Sequence, residues 1–123
     1  MRKIKVVMCE PEKYAEIVEI DATLESYQKI VGGYIEAIYP FDENVCLVCN
    51  EEGKIDNMRL NRAIRKDGRL LDFIAGTFFI CDCSEEDFGS LTDEQAERYK
   101  KKFMHPEMLV RQYGQLVAVP LKP

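Results

Sequence analysis

Leu70-Leu-Asp-Phe-Ile-Ala-Gly-Thr-Phe-Phe-Ile-Cys81 is almost continuously apolar, interrupted only by Asp72, Gly76 and Thr77. A strand with one wet face would alternate. A run without alternation reads instead as a strand covered on both faces, in the middle of a sheet. Working outward, Thr92 and Gln95 stand in the spacing of a capping box, with Leu91 and Ala96 placed as its hydrophobic staple. They open a helix whose buried stripe is Ala96, Tyr99 and Phe103, with Glu94–Arg98 and Glu97–Lys101 as four-apart ion pairs. Pro106 starts a short turn, and Gln115–Val119 reads as a last strand stopped by Pro120.

On the N-terminal side, Lys3–Met8 and Ala15–Ile20 read as two strands separated by the Glu10-Pro11-Glu12 break. Asp21 is placed to cap a helix through Leu24, Tyr27, Ile30 and Val31, which Gly32-Gly33 ends. Tyr34–Tyr39 and Val45–Cys49 are rich in β-formers, and the five residues Pro40–Asn44 suit a hairpin between them. Met58–Lys66 fits a short helix with Leu60 and Ile64 inward, ended by Asp67-Gly68, a dipeptide that serves equally well as a hairpin turn. The expected fold is one α+β domain over residues 1–123: a largely antiparallel sheet of five to six strands packed by two main helices.

Composition sets limits on function. At 46% hydrophobic and 32% charged, the 123 residues can build a core without a disulfide or metal. The start, MRKIKVVMCEPEK, has too few apolar residues for a signal-peptide core, and no stretch approaches the ~20 a membrane helix needs. A cytoplasmic location is expected, where the five cysteines stay reduced. The net charge of −5 argues against a nucleic-acid partner. It is unevenly spread: Lys54–Arg69 holds six basic residues against two acidic ones, whereas Asp82–Glu97 holds seven acidic residues and no basic one.

Few constellations suggest chemistry. Cys46-Leu-Val-Cys49 with Cys81-Asp-Cys83 is formally a four-thiolate set, but residues three apart on a strand point to opposite faces, so Cys46 and Cys49 diverge and no metal is expected. His105, the only histidine, sits at a basic helix end where exposure and the helix dipole account for it. Glu51 and Glu52 are adjacent and splay apart as a solvated turn. No catalytic residues, phosphate-binding glycine loop or cofactor is indicated, and an enzyme is the least favoured reading.

The basic segment carries the functional expectation. On a helix Arg59, Arg62, Lys66 and Arg69 would share a face. Guanidinium forks match phosphate and carboxylate oxygens. An anionic, nucleotide-like small molecule would then be held by Arg59, Arg62, Arg65, Lys66 or Arg69, with Asn61 and Asn50 orienting it. The alternative is a protein-interaction module whose acidic residues, Glu85, Glu86 and Asp87 among them, meet a basic host protein. Complementary poles would also let two copies pair as a homodimer.

Val31-Gly-Gly-Tyr-Ile-Glu36, Val48-Cys-Asn-Glu-Glu-Gly-Lys54, Leu60-Asn-Arg-Ala63 and Ile74-Ala-Gly-Thr-Phe-Phe-Ile80 together resemble the domain of unknown function 3846 family, over nearly the whole chain to Leu91-Thr-Asp-Glu-Gln95. That family's pattern often has a proline between the leucine and asparagine of the third of these stretches, where Leu60 and Asn61 are adjacent here. The resemblance implies a small accessory protein of bacteria, phages and mobile elements, with no established activity and no catalytic residues. By analogy with such settings, sequestering a nucleotide signal of host defence, or occupying a host protein, would suit it.

Overall fold

The computed structural model describes residues 2–54 and 56–121. The chain runs β1 (Lys3–Cys9), β2 (Glu16–Asp21), α1 (Leu24–Val31), β3 (Ile35–Ile38), β4 (Val45–Asn50), β5 (Leu60–Lys66), β6 (Arg69–Ala75), β7 (Phe78–Asp82), α2 (Asp93–Lys102), β8 (Glu107–Gln112) and β9 (Gln115–Pro120). Five strands form an antiparallel sheet in the order β2-β1-β7-β4-β3, and β5–β6 and β8–β9 are two-stranded hairpins. The fold is α+β, as expected.

The central strands carry the core on both sides. Val7, Cys9, Val45, Leu47, Cys49, Phe78 and Ile80 turn to one face, where Ala96, Tyr99 and Phe103 of α2 and Ile64 and Ile74 of the β5–β6 hairpin cover them. Ile4, Val6, Cys46, Val48, Phe79 and Cys81 turn to the other, under Tyr27 and Val31 of α1. A helix on each face explains why β4 is buried at every position: alternation is lost when neither side meets water. Cys46 and Cys49 enter opposite clusters. Cys46 lies opposite Cys81 across the β4–β7 ladder, its Sγ 3.7 Å from that of Cys81.

Five expectations need correction. The apolar run at 70–81 is two strands: Gly76, at φ +83°, breaks it, and only Phe78–Asp82 occupies the sheet centre. The left-handed φ at Gly76 is what calls for glycine; a side chain there would also meet Met58 Sδ at 2.8 Å and push that flexible thioether aside. Met58–Lys66 is no helix. Asp67 and Gly68 both have positive φ, 52° and 77°, the two-residue turn whose twist matches a hairpin, and β5 pairs with β6 across it. The cap of α1 is Thr23, not Asp21, which instead pairs with Lys3. The stretch after Pro106 is a strand, β8, joined to β9 by a second turn of the same kind at Tyr113 and Gly114, φ 51° and 79°. The capping box of α2 forms as expected, while Arg98 reaches Glu43 rather than Glu94.

Candidate functional site

Because the basic segment is a hairpin, its cations do not share a face. Arg62, 1% exposed, is the largest fully buried side chain. Its Nε donates to Phe103 O (2.7 Å), its Nη1 to Glu10 O (3.2 Å) and Asn61 Oδ1, and its Nη2 to Lys13 O (2.7 Å) and Met104 O (3.3 Å). All five guanidinium N–H groups are engaged. The Phe103 carbonyl at the end of α2 is among those a helix leaves without partners, and a cation there also complements the helix dipole. Arg62 thus ties the β1–β2 loop and β5 to the end of α2. Burial lowers its pKa from the ordinary arginine value.

Asn61 is equally committed. Its Nδ2 donates to Cys9 O (2.8 Å) and Gly76 O (2.9 Å). Asn50 donates from Nδ2 to Val31 O (3.1 Å) and accepts at Oδ1 from the Glu52 amide (2.7 Å), joining α1 to the end of β4. Arg59 pairs with Glu12, and Lys66 with Asp42 at 2.8 Å. Arg69 is exposed, with no ion pair among the described residues.

Arg65 points elsewhere. Its Nη2 donates to Glu107 Oε2 (2.8 Å) and its Nη1 to Oε1 (3.3 Å) of the same carboxylate, which also accepts the Ala63 amide (2.9 Å). Glu107 is 8% exposed, so the carboxylate that anchors β8 is wholly provided for. Beside this pair, Arg65, Lys101, Lys102, His105 and Pro120 surround a cavity of about 280 Å³ with the Arg62 guanidinium at its wall. A neighbouring hollow of about 330 Å³ shares Arg65 and Lys102 and adds Lys66 and Arg98. Lys101 and Lys102 have no carboxylate partner among the described residues. The Lys102 ammonium instead sits 5.3 Å from the Phe41 ring and 5.7 Å from that of Phe103. His105 stacks edge-on against Tyr14 at 5.4 Å.

The sign of this cleft distinguishes it from the cavity of about 200 Å³ at the other end of β4, where Glu36, Glu51, Glu52 and Asp72 face the single cation Lys54. Lys101, Lys102 and Arg98 are cleft residues that sequence reasoning did not select, since three lysines in a last turn read as ordinary dipole compensation. Among the described residues no group of three or more His, Cys, Asp or Glu side chains is arranged to hold a metal ion. Burial pushes the Cys9 thiol up to about 12 and those of Cys49 and Cys83 up to about 11, which disfavours their thiolates.

The model of the family described as Domain of unknown function (DUF3846) matches residues 4–104. The chain belongs to that family. No curated protein and no solved structure matches it. The matched span of the DUF3846 domain includes Arg62, Arg65, Lys101 and Lys102, while Glu107 and Pro120, on the β8–β9 hairpin that closes the cleft, lie beyond it. No helix among the described residues is long and apolar enough to cross a membrane.

Proposed function

We propose that this protein binds a small anionic molecule, of the size and charge of a nucleotide, in the cleft between the end of β5 and the last turn of α2. The supporting observation is that Arg65, Lys101, Lys102 and His105 surround one cavity whose only carboxylate among the described residues, Glu107, is already taken by Arg65 and the Ala63 amide. Lysines without acidic partners beside such a space are poised to meet oxygen ligands, and Arg65 keeps its Nε–H and one Nη1–H beyond the bonds to Glu107 and to Ala118 O. Of the cations expected from sequence, Arg65 and Lys66 serve this reading. Arg62 contributes charge but no free donor, and Arg59, Asn61 and Asn50 are engaged in the scaffold.

The test is calorimetric titration with adenosine monophosphate and with inorganic phosphate, on the native protein and on a Lys101→Glu/Lys102→Glu variant. Saturable binding that the variant loses, with an unchanged melting temperature, is the expected result. Equal heats from both proteins would refute the site. A second reading, an acidic surface that meets a basic host protein, draws on Glu85, Glu86 and Asp87, which are exposed and without ion pairs among the described residues. It predicts a defined protein that co-purifies with the native chain and is lost when the three are neutralised.

A further inference from the structure

Two surfaces on opposite sides of the main sheet lack partners, and each supplies what the other needs. The first is a groove of about 330 Å³ on the α1 side, whose apolar floor is Leu24, Tyr27, Ile35 and Phe88. The ring of Tyr27 packs 5.3 Å from that of Phe88 and 5.5 Å from that of Phe79, so the floor is firmly set. Leu24 is nonetheless 57% exposed. Glu86 and Asp87 line the rim, Glu85 precedes them and Glu25 follows Leu24 in sequence, and none of the four has an ion pair among the described residues. The one cation at the groove among the described residues, Arg2, donates to Phe88 O.

The second surface is the tip of the β5–β6 hairpin. Ile64 faces Asp72 and Arg65 faces Leu70, so Leu71 is an extra residue without a cross-strand partner, a β-bulge. Leu70 and Leu71 are left 48% and 53% exposed beside the unpaired Arg69. Bulges re-aim side chains, and this one presents two leucines next to a cation.

We propose that the hairpin tip of one copy docks in the acidic-rimmed groove of a second copy, Leu70 and Leu71 on the apolar floor and Arg69 against Glu86 and Asp87. Charge complementarity favours an apolar anchor beside a positive charge, which this tip offers in three consecutive residues, whereas Arg111 and Leu116 of the β8–β9 hairpin face each other across a ladder. The lysines of α2 cannot provide it, because their apolar neighbour Phe103 is buried, whereas Arg69-Leu70-Leu71 can. The two surfaces are different patches, so the contact is heterologous and continues head to tail or closes into a ring. It is independent of the anion cleft.

Sedimentation velocity at low salt, from about 10 µM to 1 mM, tests the proposal. The native chain is expected to gain mass with concentration and to return towards monomer in high salt, since the rim contact is screened. Leu24→Asp, which spoils the groove, and Leu70→Ser/Leu71→Ser, which spoils the tip, each stay monomeric. All three positions are exposed, so folding is preserved. An equimolar mixture of the two variants retains one intact groove and one intact tip and forms a dimer that grows no further. Association unaffected by either variant overturns the proposal. A native protein monomeric throughout also overturns it and leaves the groove to a basic segment of another protein.

Discussion

Replacing Arg62 with alanine separates the two roles that its sequence position suggested, scaffold tie and ligand contact. The substitution removes a buried guanidinium and leaves the carbonyls of Glu10, Lys13, Phe103 and Met104 and the Asn61 amide oxygen without its five donors. Truncating a buried, fully hydrogen-bonded charge costs about 3–5 kcal/mol, because the groups it satisfied stay behind. Glu10 O and Met104 O keep the Lys13 and Ala15 amides, so the stranded acceptors are Lys13 O, Phe103 O and the Asn61 amide oxygen, each losing roughly 1–3 kcal/mol, an upper sum that water entering the vacated space reduces. Against a total stability of about 5–15 kcal/mol, the expected loss lowers the melting temperature by roughly 10–20 °C for a domain of this length. Urea unfolding followed by far-UV circular dichroism and tyrosine emission measures it, the chain having no tryptophan. Arg62→Lys keeps the charge but offers three donors in place of five, and less than half the loss should be recovered. A loss below about 1 kcal/mol in Arg62→Ala would refute the assignment as a scaffold tie and return Arg62 to the list of ligand contacts.

Glu43 accepts from Arg98 (2.6 Å), Tyr99 (2.5 Å) and Gln95 (2.9 Å), and these hydrogen bonds, that from Arg98 foremost, hold its pKa down to about 2. A depressed carboxylate stabilises the fold above its unfolded pKa of about 4.5 and loses that contribution as pH falls towards 2. Glu43→Gln should therefore flatten the acid limb of a stability–pH curve between about pH 4.5 and 2, and cost about 1–2 kcal/mol at pH 7 once solvent screening is allowed for at a side chain 31% exposed. Gly76→Ala should cost roughly 2–3 kcal/mol in urea titration, strain at positive φ adding to the encounter with Met58. Arg59→Ala and Lys66→Ala, which break exposed pairs with Glu12 and Asp42, should each change stability by less than about 1 kcal/mol.

The parts of the fold legible in sequence are those where a single physical signal dominates. The strands β4 and β7 announced themselves by runs without polar interruption, and α2 by a capping box whose two hydrogen bonds both form. The segment from Leu60 to Ala75 was ambiguous because its burial contradicts its chemistry. Asn61 and Arg62 are as deeply buried as Ala63 and Ile64, so neither the two-residue nor the 3.6-residue period appears in its polarity. The cation spacing of 59, 62, 66 and 69 favoured a helix, whereas the left-handed pair Asp67-Gly68 decides for a hairpin. The turn between β8 and β9 uses Tyr113 and Gly114 at positive φ, and tyrosine is an uncommon residue there, so the sequence carries a weak sign of this hairpin. The cleft could not be read at all, since Arg65, Lys101 and His105 meet only through tertiary packing.

The stretches that carry the family resemblance also say what they are for. A side chain on Gly33 would meet Asn50 Nδ2 at 2.9 Å, and one on Gly53 would meet Ala75 O at 2.6 Å. Asn50 holds Val31, Asn61 holds Cys9 and Gly76, and Arg62 holds the end of α2. Gly33, Gly53, Asn50, Asn61 and Arg62 all lie in the quoted motifs, and each sits at a joint between elements distant in sequence. The motifs therefore specify how α1, the main sheet, the β5–β6 hairpin and α2 are assembled, and the polar atoms that looked available for a ligand are spent on that assembly. Chemistry directed outward is left to groups outside the joints: the cations at the end of α2 with Arg65, and the exposed acidic loop with its apolar floor. A scaffold fixed by buried polar ties leaves the charges on those two surfaces free of structural duty, so substitutions there can be tested for function without loosening the joints.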